Sequence, residues 1–273
     1  MVSPFFPRLA GLLCLLCLLS CFPATHAEHQ PVTVEVAGRT LSADTDPYIY
    51  QGTAYVPLSA FVREMEGGDL TWDGTSALLD TDRLDLLATP GQLWLEANGR
   101  ALYVPHTIQM TDGRVMVPVR TAAQLFGAEV TWDEELQTVR VSAGSEILPH
   151  ADTHYDPDTL YWLSRVISAE SRGEPLEGQI AVGNVALNRV ASSSFPDTLY
   201  SVIFQPGQFE PVENGTIWQE PYYLSVTAAK LCLEGAQIIG DCLYFFAPDL
   251  SPGTWIVNNR TYYTTIGCHR FYL

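Results

Sequence analysis

The sequence predicts an α+β protein in two unlike parts: a tandem pair of small α/β repeats over residues 32–143, then a mainly helical domain with a small β-sheet over 157–273. Two observations carry that expectation. With an offset of about 61 positions, VEVAGRTL at 34–41 answers LEANGRAL at 95–102, AYVPLSAF at 54–61 answers VMVPVRTA at 115–122, and LTWD at 70–73 answers VTWD at 130–133 one residue short. Beyond the repeats, apolar residues follow a period of about 3.6 over 157–190, and short strand-like runs close the chain.

The N-terminus carries one positive residue, Arg8, before an apolar run over 9–22, which Ala24, Thr25, His26 and Ala27 follow. Residues 1–27 therefore read as a secretory signal, too short for a comfortable membrane span. Two routes stay open: cleavage after Ala27, or a lipoprotein whose lipobox-like Leu18, Leu19, Ser20 and Cys21 would place a lipid anchor at Cys21.

Each repeat holds short alternating strands, a helix opening after Val-Pro (58–65 and 119–126), a Gly-containing break and a strand ending in Trp-Asp. One such unit is too small to bury its own sheet, so the two copies are expected to pack together. Trp72 and Trp132 share one register of the repeat, which favours core packing over sugar-stacking platforms. Residues 144–156, polar and broken by Gly144 and Pro149, suit a linker.

Asp156 and Pro157 form an N-cap and first-turn proline. Leu160, Leu163, Val166 and Ile167 then share one helix face that leads to Glu170, and Gly173 ends the helix. Pro175 opens a second helix whose Ile180, Ala181, Val182, Val185, Ala186, Leu187 and Val190 are apolar nearly all round, as in a central buried helix. Further on, 195–204 reads as a short helix capped by Asp197, 207–218 as a groove-lining loop and 221–235 as a helix. Strands are expected at 242–246, 254–257, 261–265 and 269–272, with Asn258-Asn259 as a hairpin turn.

Composition narrows the function. The 273 residues are 47% hydrophobic and 16% charged, which describes packed globular domains. Net charge is −17: residues 28–150 carry 18 acids and 7 bases, residues 151–273 carry 13 and 6, and Arg8 supplies the remaining positive charge. Nucleic acid and anionic membrane surfaces are poor partners on electrostatic grounds, and an anionic polymer would have to be recognised by local contacts. Cys232, Cys242 and Cys268 allow at most one disulfide, a Cys232–Cys242 pair being one option and buried unpaired thiols the preferred one. They lack a CxxC pair, and His154 and His269 are the only histidines nearby, so no metal and no cofactor is expected.

A carboxyl at the end of one helix beside a buried second helix is partly desolvated, which favours its protonated form and lets Glu170 serve as a general acid near neutral pH. Glycoside hydrolysis commonly needs a second carboxyl. Glu174, Glu177, Glu210, Glu213 and Asp249 are the candidates; Glu174 at the break and Glu177 in a first turn read as structural. Residues 151–273 also hold 18 of the chain's 30 aromatics, which suits a carbohydrate groove as well as a core.

AESRGEPLEGQIAVGNVALNRV at 169–190, FPDTLYSVIFQPGQF at 195–209, LYFFAP at 243–248 and IGCHRFY at 266–272 resemble, in the same order, the cell-wall hydrolase family of spore-cortex lytic enzymes of the SleB and CwlJ type. The resemblance implies a lysozyme-like catalytic domain acting on peptidoglycan glycan strands. It also implies a lytic transglycosylase that uses the single acid Glu170, with spore cortex or vegetative wall as substrate. Gln208 and Phe209 match the family's QF motif and are expected to contact sugar; Tyr244 and His269 match family positions and are expected to line the groove with Asn188, while Arg189 is left between a groove role and helix-to-loop bonding. Ala247 and Cys268 stand where the family commonly has Asn. Two other readings stay open: a hydrolytic muramidase with a second carboxylate, and a non-catalytic wall-binding protein. The 32–143 repeat resembles the stalk module named after the N-terminal domain of copper amine oxidases, and its single histidine, His106, argues against bound copper.

Overall fold

A computed structural model describes residues 29–66 and 68–273. The expected signal segment, the cleavage point after Ala27 and the lipobox at Cys21 lie outside the described residues.

The two repeats interlock. Thr53–Pro57 of the first copy pairs antiparallel with its counterpart Arg114–Pro118, Val56 opposite Val117, at the centre of a five-stranded sheet. Thr138–Val141 of the second copy pairs parallel with Thr33–Val36 of the first, so the end of the repeat region closes onto its beginning. Helix α1 (Leu58–Glu66) and the shorter α2 (Val119–Gln124) follow Pro57 and Pro118, where a fixed φ suits a helix entry. Val36, Val56, Phe61, Val117, Leu125, Phe126 and Val139 meet in one core, which neither copy has enough apolar surface to build alone.

Trp72 and Trp132 correct the core expectation: they are 50% and 38% exposed. The repeated Trp-Asp pair is explained by its aspartates. Asp73 accepts from the Thr75 and Ser76 amides at 2.8 Å each, and Asp133 from those of Glu135 and Leu136 at 3.0 and 2.9 Å, so each aspartate holds a turn while the indole faces outward.

The 144–156 connector is packed down. Leu148 is buried in the repeat core, Asn98 Nδ2 donates to its carbonyl at 2.7 Å, and the chain then forms α3 (Ala151–His154) and buries Tyr155. Beyond it, α4 (Pro157–Ser171) begins at Asp156, whose carboxylate accepts from the Thr159 amide at 2.8 Å. It packs with α5 (Leu176–Ala191) and α8 (Tyr223–Leu233) around Leu163, Val166, Ile167, Ile180, Ala186, Ala228 and Leu231. The close approach has a visible cause: a Cβ on Gly183 would lie 2.7 Å from Cys232 Sγ and 2.8 Å from Ile167 Cδ1.

Between α5 and α8 three expectations change. Helix α6 (Leu199–Ile203) is capped by Thr198, which accepts from the Ser201 amide; Asp197 is not the cap. Part of the expected 207–218 loop is helical, as α7 (Glu210–Asn214) and a 3-10 turn over Thr216–Trp218, because Pro211 fits the first turn and Gly215 supplies a left-handed exit. After α8, residues 254–257 form no strand but open α9 (Thr254–Asn259), which contains both Asn258 and Asn259. Four residues give too little pattern to separate strand from helix, and among them only Ile256 is as much as half-buried.

The closing sheet is three-stranded, with His269–Tyr272 between Tyr244–Phe246 and Tyr262–Ile266, and its hairpin turn is Gly267-Cys268. Cys232, Cys242 and Cys268 are free; the first two are buried, but Cys268 is exposed on that turn. Among the described residues no helix is long and apolar enough to cross a membrane.

The repeats and the helical part share an interface. Ala101 on the strand Arg100–Tyr103 belongs to the helical core, and Leu93, Trp94 and Tyr103 pack against it. Arg100 makes a bidentate pair with Glu234 just past α8, at 2.7 and 2.6 Å, both side chains 8% exposed. Tyr155 donates to the same carboxylate at 2.6 Å.

Candidate active site

Glu170 occupies the last turn of α4, on a helix whose buried face is fixed by Leu163, Val166 and Ile167. Its side chain is half-buried. Burial raises its pKa to about 7, the negative charge of Glu210 at the start of α7 adds to the rise, and Arg189 in the last turn of α5 opposes it. The acid thus exchanges its proton near neutrality.

Arg189 is 4% exposed. Its guanidinium lies over Phe209 at 5.0 Å, Phe195 at 5.1 Å and Tyr244 at 6.0 Å, and its Nε donates to the Leu243 carbonyl at 2.8 Å. Burial lowers its pKa to about 10, with Tyr244 and Glu170 acting against that shift. It remains a cation at every pH where Glu170 titrates. Among the described residues its Nη1 has no hydrogen-bond partner, which leaves one donor of a fixed cation uncommitted.

The other expected site residues divide. Tyr244 is half-buried beside Arg189, accepts from Arg260 Nη2 at 2.8 Å, and has the exposed Trp255 at 5.9 Å. Arg260 stacks over both rings, at 4.5 and 5.1 Å, so a polar aromatic wall runs outward from Arg189. Gln208 is half-buried at the turn into α7, next to Glu210. Phe209 is 2% exposed, and its place beneath Arg189 leaves no ring face for a sugar, a correction to the expected contact. Asn188 is also committed elsewhere: Nδ2 donates to the Gly240 and Cys242 carbonyls at 2.7 and 3.0 Å, and Oδ1 accepts from Gln237. His269 is buried against Phe245 with its pKa lowered by burial, so it is a neutral core side chain and not part of a groove wall.

Glu174 is structural, as expected. Its Oε2 accepts from the Cys268 amide at 2.8 Å and sits where a Cβ on Gly267 would be, so it anchors the closing hairpin to the helix break. Sequence reasoning left Arg189 between a groove role and helix-to-loop bonding and counted only Asn188 of the two among the sugar-binding residues. Spacing held the signal: Arg189 stands three, four and seven residues after Ala186, Val185 and Val182 on the buried face, whereas Asn188 follows Asn184 on the face bonded to the loop after α8. Glu210 gave no such signal, because a folded loop brings it near Glu170. The arrangement can act as acid and then as base: a carboxyl poised near neutral pH, a fixed cation beside it and stacking aromatics around them.

Comparisons with known proteins find matches in both the repeats and the helical part. Residues 173–272 match the family described as Cell Wall Hydrolase, a span that begins just after Glu170, and residues 35–141 match the copper amine oxidase N-terminal domain. A spore cortex-lytic enzyme of Oceanobacillus iheyensis is 39% identical over 117 residues, covering 43% of this chain and 42% of that protein; one of Bacillus cereus is 38% identical, covering 43% and 45%. The chain thus spans less than half the length of these relatives. A solved structure described as the catalytic domain of the germination-specific lytic transglycosylase SleB from Bacillus anthracis is 36% identical, covering 46% of this chain and all of that one, with a TM-score of 0.42. The cell wall hydrolase CwlJ of Oceanobacillus iheyensis is 31% identical, with 72% of its length covered. On that coverage and the 173–272 match, the chain belongs to the cell wall hydrolase family.

Proposed function

We propose that this protein cleaves peptidoglycan as a lytic transglycosylase, with Glu170 as the single acid and base. The observation that carries the reading is the half-buried Glu170 carboxyl with its pKa raised to about 7 beside the fixed cation of Arg189. Protonated Glu170 gives its proton to the glycosidic oxygen between N-acetylmuramic acid and N-acetylglucosamine, and the bond from that oxygen to muramic C1 breaks. The resulting carboxylate, stabilised by Arg189, removes the proton of the muramic C6 hydroxyl as that oxygen bonds to C1. A 1,6-anhydro ring closes, no water is consumed, and Glu170 regains its proton.

Supporting this substrate class are the resemblance to spore cortex-lytic enzymes and the Tyr244, Arg260 and Trp255 wall, whose rings can stack on sugar faces. Spore cortex and vegetative wall are both within reach of this chemistry, and residues 1–27 fit export to either, with Cys21 as the lipid-anchored alternative. The proposed organisation is a repeat module over 32–143, a packed connector over 144–156 and a catalytic domain over 157–273.

One observation favours a second reading. Glu210 lies near enough to raise the pKa of Glu170, as the second carboxylate of a hydrolytic muramidase would. Product chemistry separates the two: wild type and Glu170→Gln are incubated with cortex and vegetative sacculi, and released fragments are identified by mass spectrometry. Anhydro-muropeptides from wild type alone support the transglycosylase. Reducing ends identify the hydrolase, and no release from either wall sinks both.

A further inference from the structure

A cavity of about 690 Å³ lies between the repeat region and the loop that follows α8, with Tyr103, Arg120, Gln124 and Trp132 on one side and Glu234 and Gln237 on the other. Glu170 is not among its walls. The volume falls in the range of small-molecule sites, roughly 300–1,000 Å³.

Its chemistry is specific. Among the described residues Arg120 and Glu234 are the only charged ones lining it, and Glu234 is already bonded to Arg100 and Tyr155. Arg120 is exposed and has no hydrogen bond or ion pair among the described residues, in a chain of net charge −17. An uncommitted guanidinium in an acidic protein seeks a carboxylate from outside. Trp132, 38% exposed on the same wall, offers a face for stacking, and the Gln124 and Gln237 side chains offer amide donors and acceptors.

The repeat supplies a comparison within the molecule. Arg120 corresponds to Ser59 in the first copy, so Arg and Trp occur together only in the copy that faces the helical part. Glu234, on the cavity's other side, is tied to the repeats by its buried pair with Arg100.

We propose that this cleft binds a carboxylate-bearing muropeptide unit of a wall strand, a second contact separate from the Glu170 groove. The carboxylate pairs with Arg120 and an apolar sugar or peptide face covers Trp132. It supplies the local recognition that a −17 protein needs for an anionic polymer. The proposal rests on the wall-cleaving reading above.

The test uses the full chain carrying Glu170→Gln, so that bound strands stay intact, and measures calorimetric binding of a purified disaccharide tetrapeptide. Two sites per chain are expected. Adding Arg120→Gln is expected to weaken one of them about tenfold, the effect of losing one charge-assisted contact; Trp132→Ala, which removes the stacking face, and Gln124→Glu, which brings a negative charge to the cleft, are expected to weaken the same site. Melting should stay unchanged, since all three side chains are exposed. The same disaccharide without its peptide, its lactyl carboxylate free, tells the source: equal binding at the cleft assigns the sugar carboxylate, and binding of the peptide form alone assigns the stem. Binding that none of the three substitutions alters overturns the cleft site. The failure of the cleavage reading shows separately, as absence of fragment release by the wild-type protein.

Discussion

Arg189 stacks 5.0 Å over the buried ring of Phe209 and, from the end of α5, acts on the titration of Glu170 at the end of α4. Burial pushes the Glu170 carboxyl up to about 7, and the Arg189 charge limits how far it rises. This places the acid's titration within the working range of pH. A general acid must start protonated, so kcat/KM on sacculi is expected to fall as pH rises through about 7. Stability follows the same sign: the folded pKa lies above the unfolded one, so folding binds a proton and stability declines between about pH 4.5 and 7. With allowance for screening at a half-buried group, the decline is on the order of 1–2 kcal/mol. Glu170→Gln is expected to remove both activity and this pH slope, and urea titrations at pH 4.5 and 7.5 measure the latter. An unchanged slope in the variant would assign it to another group.

Glu210 adds to the raised Glu170 pKa, so neutralising it must lower that pKa. In Glu210→Gln the alkaline limb of the pH profile is expected to move toward acid, with activity retained at pH 5. Loss of activity at every pH would instead assign Glu210 a step in the reaction and favour the two-carboxylate hydrolase.

Removing the Arg189 charge acts in the opposite direction. Arg189→Met deletes the cation that holds Glu170 down, so the alkaline limb should move to higher pH. It also leaves the Leu243 carbonyl without its 2.8 Å donor, at a stability cost of about 1–3 kcal/mol. Arg189→Lys retains the charge without the planar fork, so its limb should stay near that of wild type while its melting temperature falls. Equal limbs in Met and Lys would show that the guanidinium does not tune the acid.

Much of this was legible in residue spacing. Asp156-Pro157 and the apolar runs to Val190 placed α4, α5 and Glu170, because local capping and helical period suffice there. The repeat predicted that the two copies pack together, yet it misplaced Trp72 and Trp132, since the repeated feature is a turn held by Asp73 and Asp133 and the indoles stay largely exposed. Strand 254–257 failed because four residues do not fix a period, and Phe209 failed because a motif position says nothing of which way a ring faces. The interface was out of reach altogether: Arg100 and Glu234 are 134 positions apart.

That interface makes the last prediction. Glu234 receives two hydrogen bonds from Arg100 and one from Tyr155, while both members of the ion pair are 8% exposed. Glu234→Ala strands the Arg100 cation between the repeats and α8, and loss of one partner of a buried pair costs about 3–5 kcal/mol. Replacing both with Arg100→Met and Glu234→Leu removes the charges together, so most of that loss should be recovered. Thermal melting of the wild type, the single variant and the double variant reads this out directly. A single variant as stable as wild type would mean that the apolar contacts of Ala101, Leu93, Trp94 and Tyr103 hold the two parts together without the ion pair.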